Sequence, residues 1–161
     1  MSRSVTVRGL QPADAAAGDA VIASLPYHFG DPDGRTECAH AVRTEPGLTA
    51  ADDDGLVGFL TWRRWFDGIR EITWLAVTAG HRRRGVGGRL VETFAADALS
   101  HGARYLVVTT LSASSTEPGV TDGYEGTRRF YHKHAFVSLW EPKGWWNDEN
   151  QALVLLRDLT R

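Results

Sequence analysis

The sequence has few of the features that would cross-link a protein or place it in a membrane. Cys38 is its only cysteine, so the chain cannot form an internal disulfide or a cysteine-based zinc site. No run approaches the roughly 18 consecutive apolar residues that a membrane-spanning helix needs. The first ten residues lack the apolar segment of a signal peptide. We therefore expect a soluble, cytoplasmic protein with no metal site and no membrane partner.

The chain also lacks a strong excess of one charge. It has 18 Lys and Arg residues against 20 Asp and Glu residues, a formal net charge of −2. This balance argues against nucleic acid as a partner, because nothing in it produces an overall basic field. With 161 residues, 42% of them hydrophobic, the chain has the size and composition of one globular domain. We expect residues 1–161 to form a single domain in which any anion site is local.

Segments of strand and helix character alternate along the chain. Asp53-Asp54-Gly55 and Asp67-Gly68 are turn signals between neighbouring strands. The predicted strands are Val5–Arg8, Leu48–Ala51, Leu56–Trp62, Ile69–Val77, Tyr105–Thr110, Phe136–Trp140 and Ala152–Leu159. The predicted helices are Pro12–Ser24, Arg35–Arg43, Gly88–Ser100 and Thr127–Lys133. The pattern predicts a mixed α/β (α+β) fold with about seven strands and three or four helices.

An arginine- and glycine-rich segment lies between a predicted strand and a predicted helix. It reads Arg82-Arg83-Arg84-Gly85-Val86-Gly87-Gly88. The start of a helix offers unpaired backbone N–H groups and the positive end of the helix dipole, which together suit phosphate. Glycines let the backbone approach phosphate oxygens closely, and arginines can bind those oxygens in a forked geometry. The segment predicts an anion-binding loop; the alternative is a solvated basic run before a tight turn.

The spacing of this segment matches neither a Walker phosphate loop nor the dinucleotide-binding glycine pattern. Arg82-x-x-Gly85-x-Gly87 resembles the acetyl-CoA motif of the GNAT superfamily of N-acetyltransferases, which follows the fourth strand and opens the third helix. Leu75-Ala76-Val77 resembles the end of that fourth strand. Phe130-Tyr131, followed by Phe136, resembles the downstream aromatic signature of the family. The resemblance extends over most of the chain, from Val5 to Leu159.

The resemblance implies a GNAT-like fold with a central, mixed, mostly antiparallel sheet and acetyl-CoA as co-substrate. It places the CoA pyrophosphate on Arg82–Gly88 and the pantetheine arm along the backbone of Leu75, Ala76 and Val77. N–H groups of the same strand end would stabilise the thioester oxygen as it gains charge. The implied activity is direct transfer of an acetyl group to a primary amine. A non-catalytic module that binds acyl-CoA is the alternative.

Two side chains are candidates for the proton transfers that such a reaction needs. The resemblance places Tyr131 beside the sulfur, where its phenol would protonate the departing thiolate; an aromatic packed in the core is the alternative. Glu71 lies six residues before Val77 and on the same strand face. The histone-acetylating branch of the family has a glutamate there, which acts on the amine. The alternatives are a glutamate paired to an arginine and a water molecule as the base.

The acceptor is constrained only by the resemblance. His28 and Phe29 lie in the predicted loop between the first two helices, where family members often build the acceptor pocket. A small-molecule or protein amine is therefore the expected partner, and a homodimer is one expected assembly. Ala135 departs from the family pattern, which usually has glycine before the downstream phenylalanine. If the backbone there has a positive φ, alanine is strained.

Overall fold

The computed structural model describes residues 4–26, 28, 31–115 and 121–161. Within these ranges the chain forms a mixed, mostly antiparallel sheet and four α-helices, which confirms the predicted fold class. The strands are β1 (Thr6–Gly9), β2 (Gly47–Asp52), β3 (Gly55–Phe66), β4 (Ile69–Val77), β5 (Tyr105–Leu111), β6 (Val137–Trp140) and β7 (Ala152–Asp158). The helices are α1 (Ala15–Ala23), α2 (Pro32–Thr44), α3 (Val86–Ser100) and α4 (Thr121–Lys133).

The chain divides into two compact units. The first contains the described residues up to Arg63 together with Ile72–Asp97, and its strands follow the order β1-β2-β3-β4. The second contains Arg64–Glu71 and Ala98–Arg161, and its strands follow the order β5-β7-β6. The single domain expected over residues 1–161 stays a prediction.

The first unit contains the hairpin of β2 and β3, the helices α1 and α2, and most of α3. β2 and β3 pair antiparallel, from Gly47 opposite Thr61 to Asp52 opposite Gly55. Gly55 has a φ of 126°, a value that favours glycine and that explains the turn signal in the sequence. Apolar side chains from α1, the residues after it, α2 and the sheet form one buried cluster: Val21, Ile22, Leu25, Cys38, Val42, Phe59 and Ala76.

Cys38 lies inside this core, on α2, and is fully buried. Burial raises the pKa of its thiol far above the ordinary value, and the nearby carboxylates of Glu45 and Asp19 raise it further. A thiol with a raised pKa carries almost no thiolate at neutral pH, and the thiolate is the reactive form. Cys38 is therefore a packing residue and not a nucleophile.

In α3 the apolar residues recur every three or four positions, a spacing that predicts a buried stripe along one face of the helix, and the structure confirms it. Its five residues are all buried: Leu90, Val91, Phe94, Ala95 and Ala98. Gly102, with a φ of 82°, follows the end of the helix. The Ala103 N–H donates to the Ala98 carbonyl at 2.9 Å and the Gly102 N–H donates to the Leu99 carbonyl at 3.1 Å. This pair of bonds is a Schellman motif, which uses glycine in the left-handed conformation to end a helix.

The second unit contains the remaining strands and α4. β5 pairs antiparallel with β7, from Tyr105 opposite Asp158 to Leu111 opposite Ala152. β6 pairs with β7 and lies at the end of the strand order, and all four of its residues are exposed. α4 begins at Thr121, six residues before the predicted start at Thr127. None of the helices in the described part of the chain is long and apolar enough to cross a membrane.

Candidate functional site

The end of β4 is fixed by a close approach of β3. Ala76 is buried there, and Leu75 and Val77 are half-buried. A Cβ atom on Gly58 of β3 would lie 2.9 Å from the Ala76 carbonyl oxygen and 3.2 Å from a methyl group of Val77. Just beyond the strand, the Thr78 N–H donates to the Val57 carbonyl at 2.9 Å. The backbone of Leu75–Val77 is therefore packed closely against β3 before the arginine–glycine segment begins.

The arginine–glycine segment forms a turn that leads into α3. Arg82–Gly85 are turn residues and are exposed, and α3 begins at Val86. Arg83 and Gly85 have positive φ values of 60° and 79°. The Arg89 N–H donates to the Gly85 carbonyl at 3.0 Å, which makes Gly85 the residue that caps the helix. The N–H groups from Gly85 to Gly88 consequently have no acceptor within the helix, so the segment has the donors that an anion needs.

Arg82 connects this loop to His28, one of the two predicted acceptor residues. Its Nε donates to the Val77 carbonyl at 3.3 Å, and its guanidinium lies 3.3 Å from Nδ1 of His28. Since a guanidinium can only donate, Nδ1 of His28 accepts and carries no proton. Burial, and then the charge of Arg82, lower the pKa of His28, in agreement with a neutral ring. Phe29, the other predicted residue, lies outside the described residues.

Three hydrogen-bonded polar side chains lie directly before the same loop, and the sequence patterns did not predict their contact. Oγ1 of Thr78 lies 2.9 Å from Nδ1 of His81, and Nε2 of His81 lies 3.0 Å from Oδ2 of Asp52. The Asp52 side chain is 0% exposed and that of His81 is 22% exposed. The sequence gives no signal for this contact, because Asp52 lies 29 residues before His81 and reads as part of a hairpin turn.

A second polar group adjoins β4 in the first unit. The hydroxyls of Thr61 and Thr73 lie 2.8 Å apart, and the Thr73 hydroxyl donates to the carboxylate of Glu45. All three side chains are at least partly buried. The group places a carboxylate beside the middle of β4, where the sequence pattern indicates only Glu71.

Tyr131 lies on α4 among aromatic rings of the second unit. It is 5% exposed, and its ring centroid lies 5.2 Å from that of Phe130 and 5.4 Å from that of Phe136, both in edge-on geometry. Burial raises the pKa of its phenol above the ordinary value. The phenol therefore keeps its proton throughout the neutral range and can act as a hydrogen-bond donor.

The end of α4, directly after Tyr131, confirms the strain expected at Ala135. The Phe136 N–H donates to the Tyr131 carbonyl at 3.1 Å, and the Ala135 N–H donates to the His132 carbonyl at 3.2 Å. This is again a Schellman motif, but here alanine takes the left-handed position, with a φ of 63°.

Glu71 is half-buried on β4 and belongs to the second unit, as Tyr131 does. The first unit brings together the other described candidates, which are Leu75–Val77, Arg82–Gly88 and His28. The catalytic roles predicted for Glu71 and Tyr131 stay predictions.

The second unit also contains an open cleft of about 630 Å³ between α4, β6 and the residues after β5. Arg128, Glu141 and Trp140 contribute to its lining. Arg128 donates to the Leu111 carbonyl at 2.7 Å, and Glu141 accepts from Ser112 at 2.5 Å. Among the described residues that line the cleft, neither predicted catalytic side chain is present. The cleft is therefore separate from those side chains.

Comparison with known families gives one match that covers more than half of the chain. A family model described as an acetyltransferase (GNAT) domain matches residues 44–138. The matched range runs from the end of α2 into β6 and includes β4, the arginine–glycine loop and Tyr131. No protein with curated function is significantly similar to this sequence.

Solved structures share the fold over nearly the whole chain. A GNAT-family protein from Desulfovibrio desulfuricans has a TM-score of 0.83 and 20% identity, covering 97% of this chain and 99% of its own. An aminoglycoside 6'-N-acetyltransferase in complex with coenzyme A has a TM-score of 0.72 and 17% identity, covering 96% and 97%. The ribosomal-protein-S18-alanine N-acetyltransferase from Escherichia coli has a TM-score of 0.75 and 12% identity, covering 97% and 94%. At these identities the comparisons show the fold alone.

Proposed function

Because the chain belongs to the GNAT family of acetyltransferases, we propose that it transfers an acetyl group from acetyl-CoA to a primary amine. The start of α3 is the observation that carries this proposal. It has N–H groups from Gly85 to Gly88 that lack an acceptor within the helix and three exposed arginines directly before them, and it follows the strand end at Leu75–Val77. The coenzyme A complex of an acetyltransferase with the same fold supports the assignment of this cofactor.

The residues present fit the chemistry of acetyl-CoA. A pyrophosphate is anionic, and the start of α3 offers it backbone donors, the helix dipole and guanidinium groups. The backbone at Leu75–Val77 is the proposed partner of the pantetheine arm. Its N–H groups would also donate to the carbonyl oxygen of the thioester as that oxygen gains charge.

Tyr131 is the proposed donor to the sulfur. Acetyl-CoA supplies the acetyl group as a thioester, and the thiolate that departs needs a hydrogen bond or a proton. Because burial raises the pKa of Tyr131, the phenol is protonated whenever the reaction runs near neutral pH. The same rise makes complete transfer of its proton less favourable than from an exposed phenol. We therefore assign to Tyr131 a strong hydrogen bond to the thiolate, with the proton able to follow.

Glu71 is the proposed base. An alkylamine has a pKa of about 10, so most of it is protonated at neutral pH and cannot attack until a proton is removed. Glu71 would take that proton directly or through a water molecule. His28 is proposed to contact the acceptor, and its neutral ring would not repel a cationic amine.

Release of CoA thiol from acetyl-CoA in the presence of a panel of amines tests this function. The panel should include amino acids, polyamines, an aminoglycoside and a peptide N-terminus, because the acceptor class is a proposal only. Thermal unfolding with acetyl-CoA or with ATP should accompany it. At a concentration 100 times its Kd, acetyl-CoA should stabilise the protein by about 2.7 kcal/mol. For a chain of this size, that corresponds to a rise in Tm of roughly 5–10 °C.

The possible results separate the alternatives. Acetyl-CoA stabilisation with thiol release by an amine would support the acetyltransferase. Stabilisation without release by any amine would favour the acyl-CoA-binding module. Stabilisation by ATP and not by acetyl-CoA would contradict both and would assign the loop to a nucleotide phosphate.

A further inference from the structure

His81 is hydrogen-bonded through both of its ring nitrogens. Asp52 accepts from the Asp54 N–H at 3.0 Å through Oδ1 and faces His81 through Oδ2. An ionised carboxylate can only accept, so Nε2 of His81 carries the proton of that bond. Nδ1, the other ring nitrogen, lies 2.9 Å from the Thr78 hydroxyl. The three side chains therefore form one hydrogen-bonded chain with His81 in the middle.

This chain joins two parts of the first unit that are far apart in sequence. Asp52 is the last residue of β2, in the hairpin with β3. His81 is directly followed by Arg82, the first residue of the arginine–glycine loop, and Thr78 directly follows β4. The loop is thus held at one end by the first turn of α3 and at the other end by the bond between His81 and the buried Asp52.

The residues between these two ends have no regular structure of their own. Arg82–Gly85 form turns, with two left-handed residues, and their side chains are exposed. Such a segment has many accessible conformations unless both of its ends are fixed. A loop that is ordered before it binds loses less entropy on binding, and its affinity is higher for that reason.

We propose that Asp52 and His81 are a positioning pair that holds the Arg82–Gly88 loop in the conformation that binds the pyrophosphate of acetyl-CoA. Thr78 completes the pair by fixing the ring of His81. This inference rests on the proposed function, because it assigns acetyl-CoA to the loop. The pair touches neither the acetyl group nor the amine, so its loss should weaken acetyl-CoA binding and leave turnover at saturation unchanged.

The test compares His81→Ala with His81→Gln by calorimetric titration with acetyl-CoA. In His81→Ala the Kd for acetyl-CoA should rise about tenfold, because the variant removes the hydrogen bond to Asp52 that orders the loop. In His81→Gln the amide N–H can still donate to Asp52, so the Kd should stay within about threefold of the wild type. Turnover at saturating acetyl-CoA should change by less than about twofold in both variants.

Asp19→Ala is the matched control in the same unit. Asp19 forms a doubly hydrogen-bonded pair with Arg43 at 2.8 and 2.5 Å, between α1 and α2. Its loss should leave the Kd for acetyl-CoA unchanged. If His81→Ala does not fold because it leaves the Asp52 carboxylate buried and unpaired, the double variant His81→Ala with Asp52→Ala removes the charge together with its partner. The double variant should show the same tenfold loss.

Two results would overturn the proposal in different ways. If the wild type does not bind acetyl-CoA, the proposed function and the positioning pair both fail. If the wild type binds but His81→Ala and the double variant keep the wild-type Kd, the positioning pair alone fails. An equal loss in His81→Gln and His81→Ala, or an equal loss in Asp19→Ala, would also overturn it, because neither fits a specific bond to Asp52.

Discussion

The start of α3 and the end of α4 both contain candidate site residues, but they offer a ligand different parts of the chain. At the start of α3 the candidates are backbone N–H groups and exposed arginines around Gly85–Gly88. At the end of α4 the candidate is one side chain, Tyr131, packed edge-on between Phe130 and Phe136. The first region is exposed and polar, whereas the second is buried and aromatic.

This difference determines which kind of substitution should damage each region most. A site built from backbone donors depends on close approach, so added bulk or negative charge should damage it more than the loss of any one side chain. A site built from one side chain depends on a single functional group held in place by its neighbours. The first region should therefore govern affinity for acetyl-CoA, and the second should govern the rate of transfer.

Of the variants that test this comparison, Gly87→Glu should have the largest effect, and that effect is on the affinity for acetyl-CoA. It places bulk and a negative charge in the first turn of α3, where an anion is proposed to bind. The Kd for acetyl-CoA should rise at least about 100-fold in a calorimetric titration. Gly87→Ala, which adds only a methyl group, is the control and should lose less. Wild-type affinity in Gly87→Glu would show that the start of α3 is not the cofactor site.

Tyr131→Phe should act on the rate and not on the affinity. The variant keeps the ring that packs between Phe130 and Phe136 and removes only the hydroxyl. We expect kcat to fall by about 10- to 100-fold, with the Kd for acetyl-CoA unchanged. Tyr105→Phe, at the start of β5, is the control and should have wild-type kinetics. An unchanged kcat in Tyr131→Phe would remove the tyrosine from the mechanism.

Ala135→Gly should have the smallest effect, and it sharpens the comparison at the end of α4. Alanine in the left-handed conformation costs about 1–2 kcal/mol, and glycine removes this cost. Glycine also makes the unfolded chain more flexible, which lowers stability by about 0.4–1 kcal/mol and offsets part of the gain. The variant should raise the free energy of unfolding in urea by about 0.5–1 kcal/mol.

Gly102→Ala is the opposite change at the end of α3, where glycine occupies the equivalent position of the same motif. A Cβ there would meet no atom within 4 Å, so the variant tests backbone conformation alone. It should lower the free energy of unfolding by about 1 kcal/mol. If both variants shift stability in the same direction, left-handed strain is not the cause.

The features that the sequence predicts well are those set by neighbouring residues. Gly55 and Gly68 have positive φ in the two turns that were placed at them, because only glycine adopts such values without strain. The stripe of α3 is buried throughout, because its spacing follows one face of a helix. The arginine–glycine segment was placed correctly after β4, but α3 begins at Val86, two residues before the predicted start at Gly88, so the last three residues of the segment form the first turn of the helix.

The features that the sequence predicts poorly depend on distant contacts or on weak local signals. The first turns of α4 contain Gly123 and Gly126, which lower helix propensity, so the helix was predicted to begin only at Thr127. β3 continues to Phe66, past the predicted end at Trp62, although two arginines follow that tryptophan. The contact between Asp52 and His81 joins the β2–β3 hairpin to the segment after β4, and no local sequence pattern predicts it.

The burial of Cys38 has a practical consequence. A thiol reagent used to measure free CoA should react very little with the protein itself, because its only cysteine is inaccessible and protonated. A cysteine introduced at an exposed position such as Arg84 would then be the one reactive thiol of the folded chain. A fluorophore attached there would report the occupancy of the loop, and no core residue would have to be replaced.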